Sequence, residues 1–170
     1  MKTTIFSSLV TFLALSSPAL AVPVESAAAA PAASPSPSAP AAPAPAQTTT
    51  ISYDPKYDQG TTSLTTIACS DGVNGLISKG YSDFKSLPGF PLIGGAPTVE
   101  GWDSPNCGKC YQIHYQAGNV DKTINVLAVD VARGGFNLGL QAMNQLTDGL
   151  AEQLGRVQAT YSEVDESQCA

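Results

Sequence analysis

Asp130 ends an apolar run, Thr123–Val129, and is followed by the glycine-rich stretch Arg133-Gly134-Gly135. A carboxylate at the end of a rigid strand can face a groove and accept hydrogen bonds from sugar hydroxyls, or serve acid chemistry. It can equally cap the amides of the turn that follows, and the residues alone favour that second role. Arg133 can contact a ligand or pair with a carboxylate. Asn137 is first a helix cap and only second a sugar contact. Tyr53, near the start of the folded region, is an exposed ring suited to covering a sugar face. Glycoside hydrolysis needs two carboxylates about 5 to 9.5 Å apart, one kept protonated by an apolar setting. Thirteen Asp and Glu follow residue 50, and their spacing identifies no such pair.

Other chemistry fits less well. Cys107-Gly108-Lys109-Cys110 matches the redox pattern C-x-x-C, but such a pair should open a helix. Here the strict alternation Tyr111-Gln112-Ile113-His114-Tyr115-Gln116 reads as a strand. The single histidine, His114, falls on the polar face of that strand with Gln112 and Gln116, so it reads as solvated. No metal site and no cofactor are expected. Zinc held by four cysteines is disfavoured because Cys69 and Cys169 stand alone. Eight Lys and Arg against fourteen Asp and Glu give a net charge of −6, the wrong sign for nucleic acid.

The 170 residues divide by composition. Lys2, the apolar run Ile5–Leu15, Pro18 and Ala19-Leu20-Ala21 read as a secretory signal peptide over residues 1–21. The apolar run is shorter than the ~18–20 residues that span a bilayer. Residues 22–50 read as a linker: of the 26 from Val22 to Gln47, eleven are Ala, seven Pro and four Ser. That composition cannot bury a core. Its Ser34, Ser36, Ser38 and Thr48–Thr50 are compositional candidates for O-glycosylation. Residues 51–170 read as one domain, secreted and monomeric.

That domain must position the candidate side chains, and all four cysteines lie in it: Cys69, Cys107, Cys110 and Cys169. An even count in a secreted chain implies two disulfides, with three pairings open. Giving Cys107 and Cys110 separate distant partners closes long loops, each worth roughly 4 kcal/mol. Thr62–Ala68 reads as a strand, Val73–Lys79 as a short helix and Leu87–Pro97 as a Pro/Gly loop. Lys109–Gln116 and Lys122–Val129 flank Gly118-Asn119 as a hairpin. Asn137 would cap a helix over Leu138–Leu146, and Arg156–Val164 would be the last strand. Trp102, the only tryptophan, is expected partly buried against a disulfide. Tyr111, Ile113 and Tyr115 belong to the core, and Phe136 lies between core and groove. Many short strands with few short helices suggest a small barrel.

Ser52-Tyr53-Asp54-Pro55, Ala68-Cys69-Ser70, Pro88-Gly89-Phe90-Pro91, Gly101-Trp102-Asp103-Ser104-Pro105, Cys107-Gly108-x-Cys110, Val129-Asp130, Arg133-Gly134-Gly135-Phe136-Asn137 and Gly155-Arg156-Val157 occur in an order and spacing that resemble the secreted fungal cerato-platanin family. The resemblance covers essentially the whole of Ile51–Cys169. It implies a mainly β fold, a six-stranded double-psi β-barrel like the first domain of expansins, with Cys69 paired to Cys107 and Cys110 to Cys169. It implies binding of chitin oligosaccharides in a shallow groove and non-hydrolytic loosening of cellulose. Elicitation of plant defence, with a host plant receptor as partner, or allergenicity is implied for some members. It gives Asp130 the groove role. Expected sugar contacts are therefore Asp130, Asn137, Arg133 and Tyr53, without covalent chemistry; a glycan-cleaving enzyme on the same barrel is the alternative. Two departures stand out: the Ala/Pro/Ser segment is atypical, and Val131 stands where members often carry a polar residue or histidine.

Overall fold

The computed structural model describes residues 45–170. The segment read as a signal peptide, and the linker up to residue 44, lie outside the described residues. Six strands close into a mixed barrel: β1 (Gln47–Tyr53), β2 (Ile93–Ala96), β3 (Cys110–Ala117), β4 (Val120–Val131), β5 (Phe136–Leu138) and β6 (Arg156–Val164). Around the barrel the order is β1-β5-β2-β4-β3-β6. The pairs β1/β5 and β2/β4 are parallel; the other four are antiparallel. This is the six-stranded double-psi barrel expected for the sequence. Two short helices, α1 (Leu140–Thr147) and α2 (Ala151–Leu154), precede the last strand.

The clearest sequence signals become the longest strands. β3 and β4 form the hairpin, pairing Ala117 with Val120 across Gly118-Asn119. Gly118 has φ +57°, as a tight two-residue hairpin turn requires. Tyr111, Ile113 and Tyr115 are buried and Gln112, His114 and Gln116 are not, so the period of two is obeyed. Phe136 is resolved in favour of the core. It packs edge-on against Tyr111 at 5.5 Å and Tyr161 at 5.0 Å between centroids, the favoured aromatic geometry.

Four expectations are corrected. Thr62–Ala68 is no strand: Ser63 starts a short 3-10 turn over Leu64–Thr66 and makes a single bridge to Asp83. The barrel closes without it, so its β-branched residues find no ladder. Val73–Lys79 forms turns, not a helix. Leu87–Pro97 contains β2, buried along its whole length between β4 and β5. Its glycines are there because backbones approach closely: a Cβ on Gly94 would lie 2.5 Å from the Asn137 carbonyl oxygen. Finally, α1 starts after Gly139, and Asn137 lies in β5. The Asp58 carboxylate caps the helix instead, accepting from the amides of Leu140 (2.7 Å) and Gln141 (3.2 Å). In addition, β1 begins at Gln47, so Gln47–Thr50, read as linker, are barrel.

The disulfides join Cys69 to Cys107 and Cys110 to Cys169, 38 and 59 residues apart in sequence. The first joins two loops outside the strands, and the second ties the C-terminal turn to β3. Among the described residues no helix is long and apolar enough to cross a membrane. Replacing Cys69 and Cys107 together by Ala is expected to lower stability by about 4 kcal/mol. Denaturant unfolding of the oxidised proteins checks this.

Candidate functional site

Parallel pairing of β1 with β5 sets Ser52 opposite Asn137 and Tyr53 opposite Leu138. The Ser52 hydroxyl donates to Asn137 Oδ1 at 3.1 Å. Between β4 and β5 runs the turn of residues 132–135, and Gly135 (φ +108°) carries it against β1. A Cβ there would overlap the Thr50 carbonyl oxygen. The turn is lashed down by three hydrogen bonds. Thr50 Oγ1 donates to the Gly134 carbonyl (2.7 Å), and Arg156 Nη1 donates to Thr50 Oγ1 (2.7 Å) and to Gly134 O (3.0 Å).

These pieces enclose an open cavity of about 410 Å³, lined among others by Tyr53, Arg133, Asn137, Ser52 and Arg156. Three of the four expected contacts therefore meet there. Arg133 is exposed and, among the described residues, makes no ion pair. Among the described residues no carboxylate lines the cavity.

Asp130 does not line it either. Its Oδ1 accepts from the amides of Ala68 and Val131, both at 2.9 Å. Its Oδ2 accepts from the Tyr57 hydroxyl at 3.1 Å and Lys56 Nζ at 3.2 Å. The residue is 7% exposed, and the four bonds use the usual acceptor capacity of a carboxylate. The amides it caps are not those of the Arg133-Gly134-Gly135 turn. Burial first, and the Asp130 charge second, push the Tyr57 hydroxyl far above its ordinary range. That phenol is thus held as a donor to Asp130.

Ser52 and Arg156 were missed as site residues although both stand in the quoted motifs; only the barrel's closure brings them together. Lys56 and Tyr57, more than seventy residues from Asp130, carried no local signal. Trp102 is corrected: it is 64% exposed, with its indole N–H on Asp71 Oδ1 at 2.7 Å. His114 stays on the polar strand face, bonded to Asp121 at 2.8 Å. Among the described residues no three His, Cys, Asp or Glu are grouped to hold a metal.

A closed, doubly disulfide-linked barrel with an open polar groove beside its β1/β5 seam defines a double-psi barrel protein. The cerato-platanin family model matches residues 49–170, and the chain belongs to the cerato-platanin family. It is 57% identical over 120 residues to "Allergen Asp f 15" of Aspergillus fumigatus, covering 71% of this chain and 76% of that one. It is 49% identical over 122 residues to the "Heat-stable 19 kDa antigen" of Coccidioides immitis, covering 72% and 81%. The crystal structure of cerato-platanin 1 from M. perniciosa superposes with a TM-score of 0.69 at 45% identity, covering 71% of this chain and 98% of that one. The solution structure of the fungal elicitor Cerato-Platanin gives 0.62 at 40% identity, covering 71% and 95%. The family is not known for catalysis, and membership together with the chain's own two disulfides points to a secreted protein.

Asp130→Asn keeps one acceptor but turns an NH₂ group toward the Tyr57 and Lys56 donors. It is expected to cost about 2–3 kcal/mol of folding stability. Lys56→Met removes only a partner that is 44% exposed at its side chain and should cost under about 1 kcal/mol. Equilibrium unfolding of the two variants checks the order. Tyr57 supplies a further test. Above about pH 10 the unfolded phenol ionises while the buried one keeps its proton. The native state then binds more protons than the unfolded state, and stability falls as pH rises. Tyr57→Phe should flatten that alkaline slope in pH-dependent denaturation.

Proposed function

We propose that the protein is a secreted, non-catalytic glycan-binding protein that holds chitin oligosaccharides in the β1/β5 groove and loosens wall polysaccharide, cellulose included, by competing for chain–chain hydrogen bonds. The observation that carries this is the meeting of Tyr53, Arg133 and Asn137 on one open cavity without a carboxylate. A tyrosine offers a ring face to a pyranose. Guanidinium and carboxamide groups offer donors to hydroxyl and acetamide oxygens. Asp130 serves this site as a positioning residue: fixing the end of β4 fixes the turn that presents Arg133. The monomer is the working unit. Acid–base hydrolysis would need two carboxyl groups flanking the bond, and the cavity lining supplies neither.

A second reading, compatible with the first, is recognition by a host, either a plant receptor or an antibody. It is favoured by relatives named allergen, antigen and elicitor. It needs exposed loops rather than the groove.

Backbone NMR titration with N-acetylated chitohexaose tests the binding claim: shifts should centre on Tyr53, Arg133 and Asn137. The double variant Arg133→Ala/Asn137→Ala should weaken binding roughly tenfold or more, the scale of two net hydrogen bonds. No new reducing ends should form. Undisturbed groove resonances at millimolar ligand would remove the groove, and steady release of reducing ends would replace binding by hydrolysis. Elicitor activity or antibody recognition should survive the double variant.

A further inference from the structure

A second surface, separate from the groove, lies on the loops joined by the Cys69–Cys107 disulfide. Trp102 is 64% exposed and Val73 is 88% exposed. Singly exposed apolar side chains are ordinary, but this tryptophan is held. Its indole N–H donates to Asp71 Oδ1 at 2.7 Å, and the same oxygen accepts from the Ser70 hydroxyl at 3.2 Å. These two bonds, indole first, hold the Asp71 carboxyl below its usual range.

The loops beneath the ring are fastened to each other. Asp103, in the left-handed region at φ +56°, accepts from the Asn74 amide at 2.7 Å. The Asn74 side chain donates back to the Asp103 carbonyl at 2.8 Å. Gly72 sits so close that a Cβ would lie 2.6 Å from Asp103 Oδ1. The disulfide to Cys69 closes the arrangement at Cys107, within the next turn.

We propose that Trp102 and Asp71 form a second glycan site, a stacking platform for one face of a neutral β-1,4-linked pyranose. The indole N–H is already used, so the ring's remaining offer is its π-face, which suits the C–H face of a sugar. Asp71 Oδ2 takes no side-chain hydrogen bond among the described residues and is left to accept from a hydroxyl at the sugar's rim. Preorganisation removes the ordering cost that normally weakens binding by a single side chain. An acidic glycan is disfavoured by the charge of Asp71. A quaternary cation wants a cage of several rings, and among the described residues these loops expose a single large ring, Trp102. A stable protein interface needs about 800 Å² per partner, several times what a single aromatic offers.

Trp102 is the only tryptophan in the chain, so the fluorescence of the secreted protein, excited at the red edge of indole absorption where its six tyrosines do not absorb, reads this site alone. Titration with N-acetylated chitohexaose or cellohexaose should move the emission to shorter wavelength. It should also cut acrylamide quenching to roughly half, as one covered ring face requires. Asp71→Ala should weaken the effect roughly fivefold, the scale of one net hydrogen bond, and Asp71→Asn should largely restore it. The Arg133→Ala/Asn137→Ala variant should leave it intact, so failure of the groove and failure of the platform are told apart. Unchanged quenching at millimolar hexaose overturns the proposal. So does equal protection by tetramethylammonium or oligogalacturonate, or protection that grows with protein concentration in the absence of sugar.

Discussion

The carboxylate of Asp130 is the point on which separate parts of the molecule converge. One oxygen holds the amide of Ala68, next to Cys69, and the other holds the hydroxyl of Tyr57 and the ammonium of Lys56, just past the end of β1. Two neighbouring stretches, both more than sixty residues upstream of Asp130, thus meet at the end of β4. Such a group is costly to bury unless every acceptor site is filled, and here each is filled. Desolvation is offset by two amides, a phenol kept protonated by burial, and a half-exposed lysine that brings the opposite charge. The arrangement specifies where β4 must stop, and so where the turn to β5 must begin.

The groove inherits that precision. The turn of residues 132–135 has little apolar content with which to pack. Its position follows from Asp130 at one end, from the β1/β5 ladder at the other, and from Thr50 and Arg156 across its middle. The residues that present the cavity therefore spend their own polar groups on holding it. What is left over is the exposed Arg133, the side chain of Asn137 shared with Ser52, and the partly buried ring of Tyr53. Bonds already made between protein groups cannot be offered to a ligand, and this separates Asp130 from the residues it positions.

Legibility in the sequence tracked whether an element's reason for existing was local. The β3/β4 hairpin was readable because alternation and a Gly-Asn turn act within a few residues. The last strand, Arg156–Val164, was readable for the same reason. β2 was not, because Ile93-Gly94-Gly95-Ala96 looks like a loop to any rule based on propensity. Gly94 answers to the backbone of β5 more than forty residues onward, and Gly95 to Val131 and Ala132 at the end of β4. The cap of α1 failed likewise: Asn137 was the nearest side chain able to do it, but Asp58 arrives from across the fold. Trp102 was misplaced because a large ring beside a disulfide is usually packed under it. Here the indole N–H found an exposed carboxylate, and the ring stayed outside. For Asp130 the family resemblance argued for the groove and the residues for a cap. The backbone bonds it makes lie closer to the second, though to different amides.

Rigid fastening bears on how two glycan surfaces on one small barrel would cooperate. A covalent and hydrogen-bonded route leads from the groove turn through Asp130 to Ala68, then through Cys69 and its disulfide to the loops that carry Trp102. Continuity of this kind does not by itself couple two sites; coupling needs an element with two arrangements that both ligands bias. A filled carboxylate and a disulfide are poor candidates for such an element, because each alternative arrangement would strand a buried donor or break the fastening. Cooperation would then come from geometry alone. Two weak contacts held at fixed separation would act as a multivalent pair on a polymer chain long enough to reach both, each raising the effective concentration of the other. That mode suits an insoluble polysaccharide, which repeats its binding unit, better than a short soluble sugar. It also lets each contact stay weak enough to release.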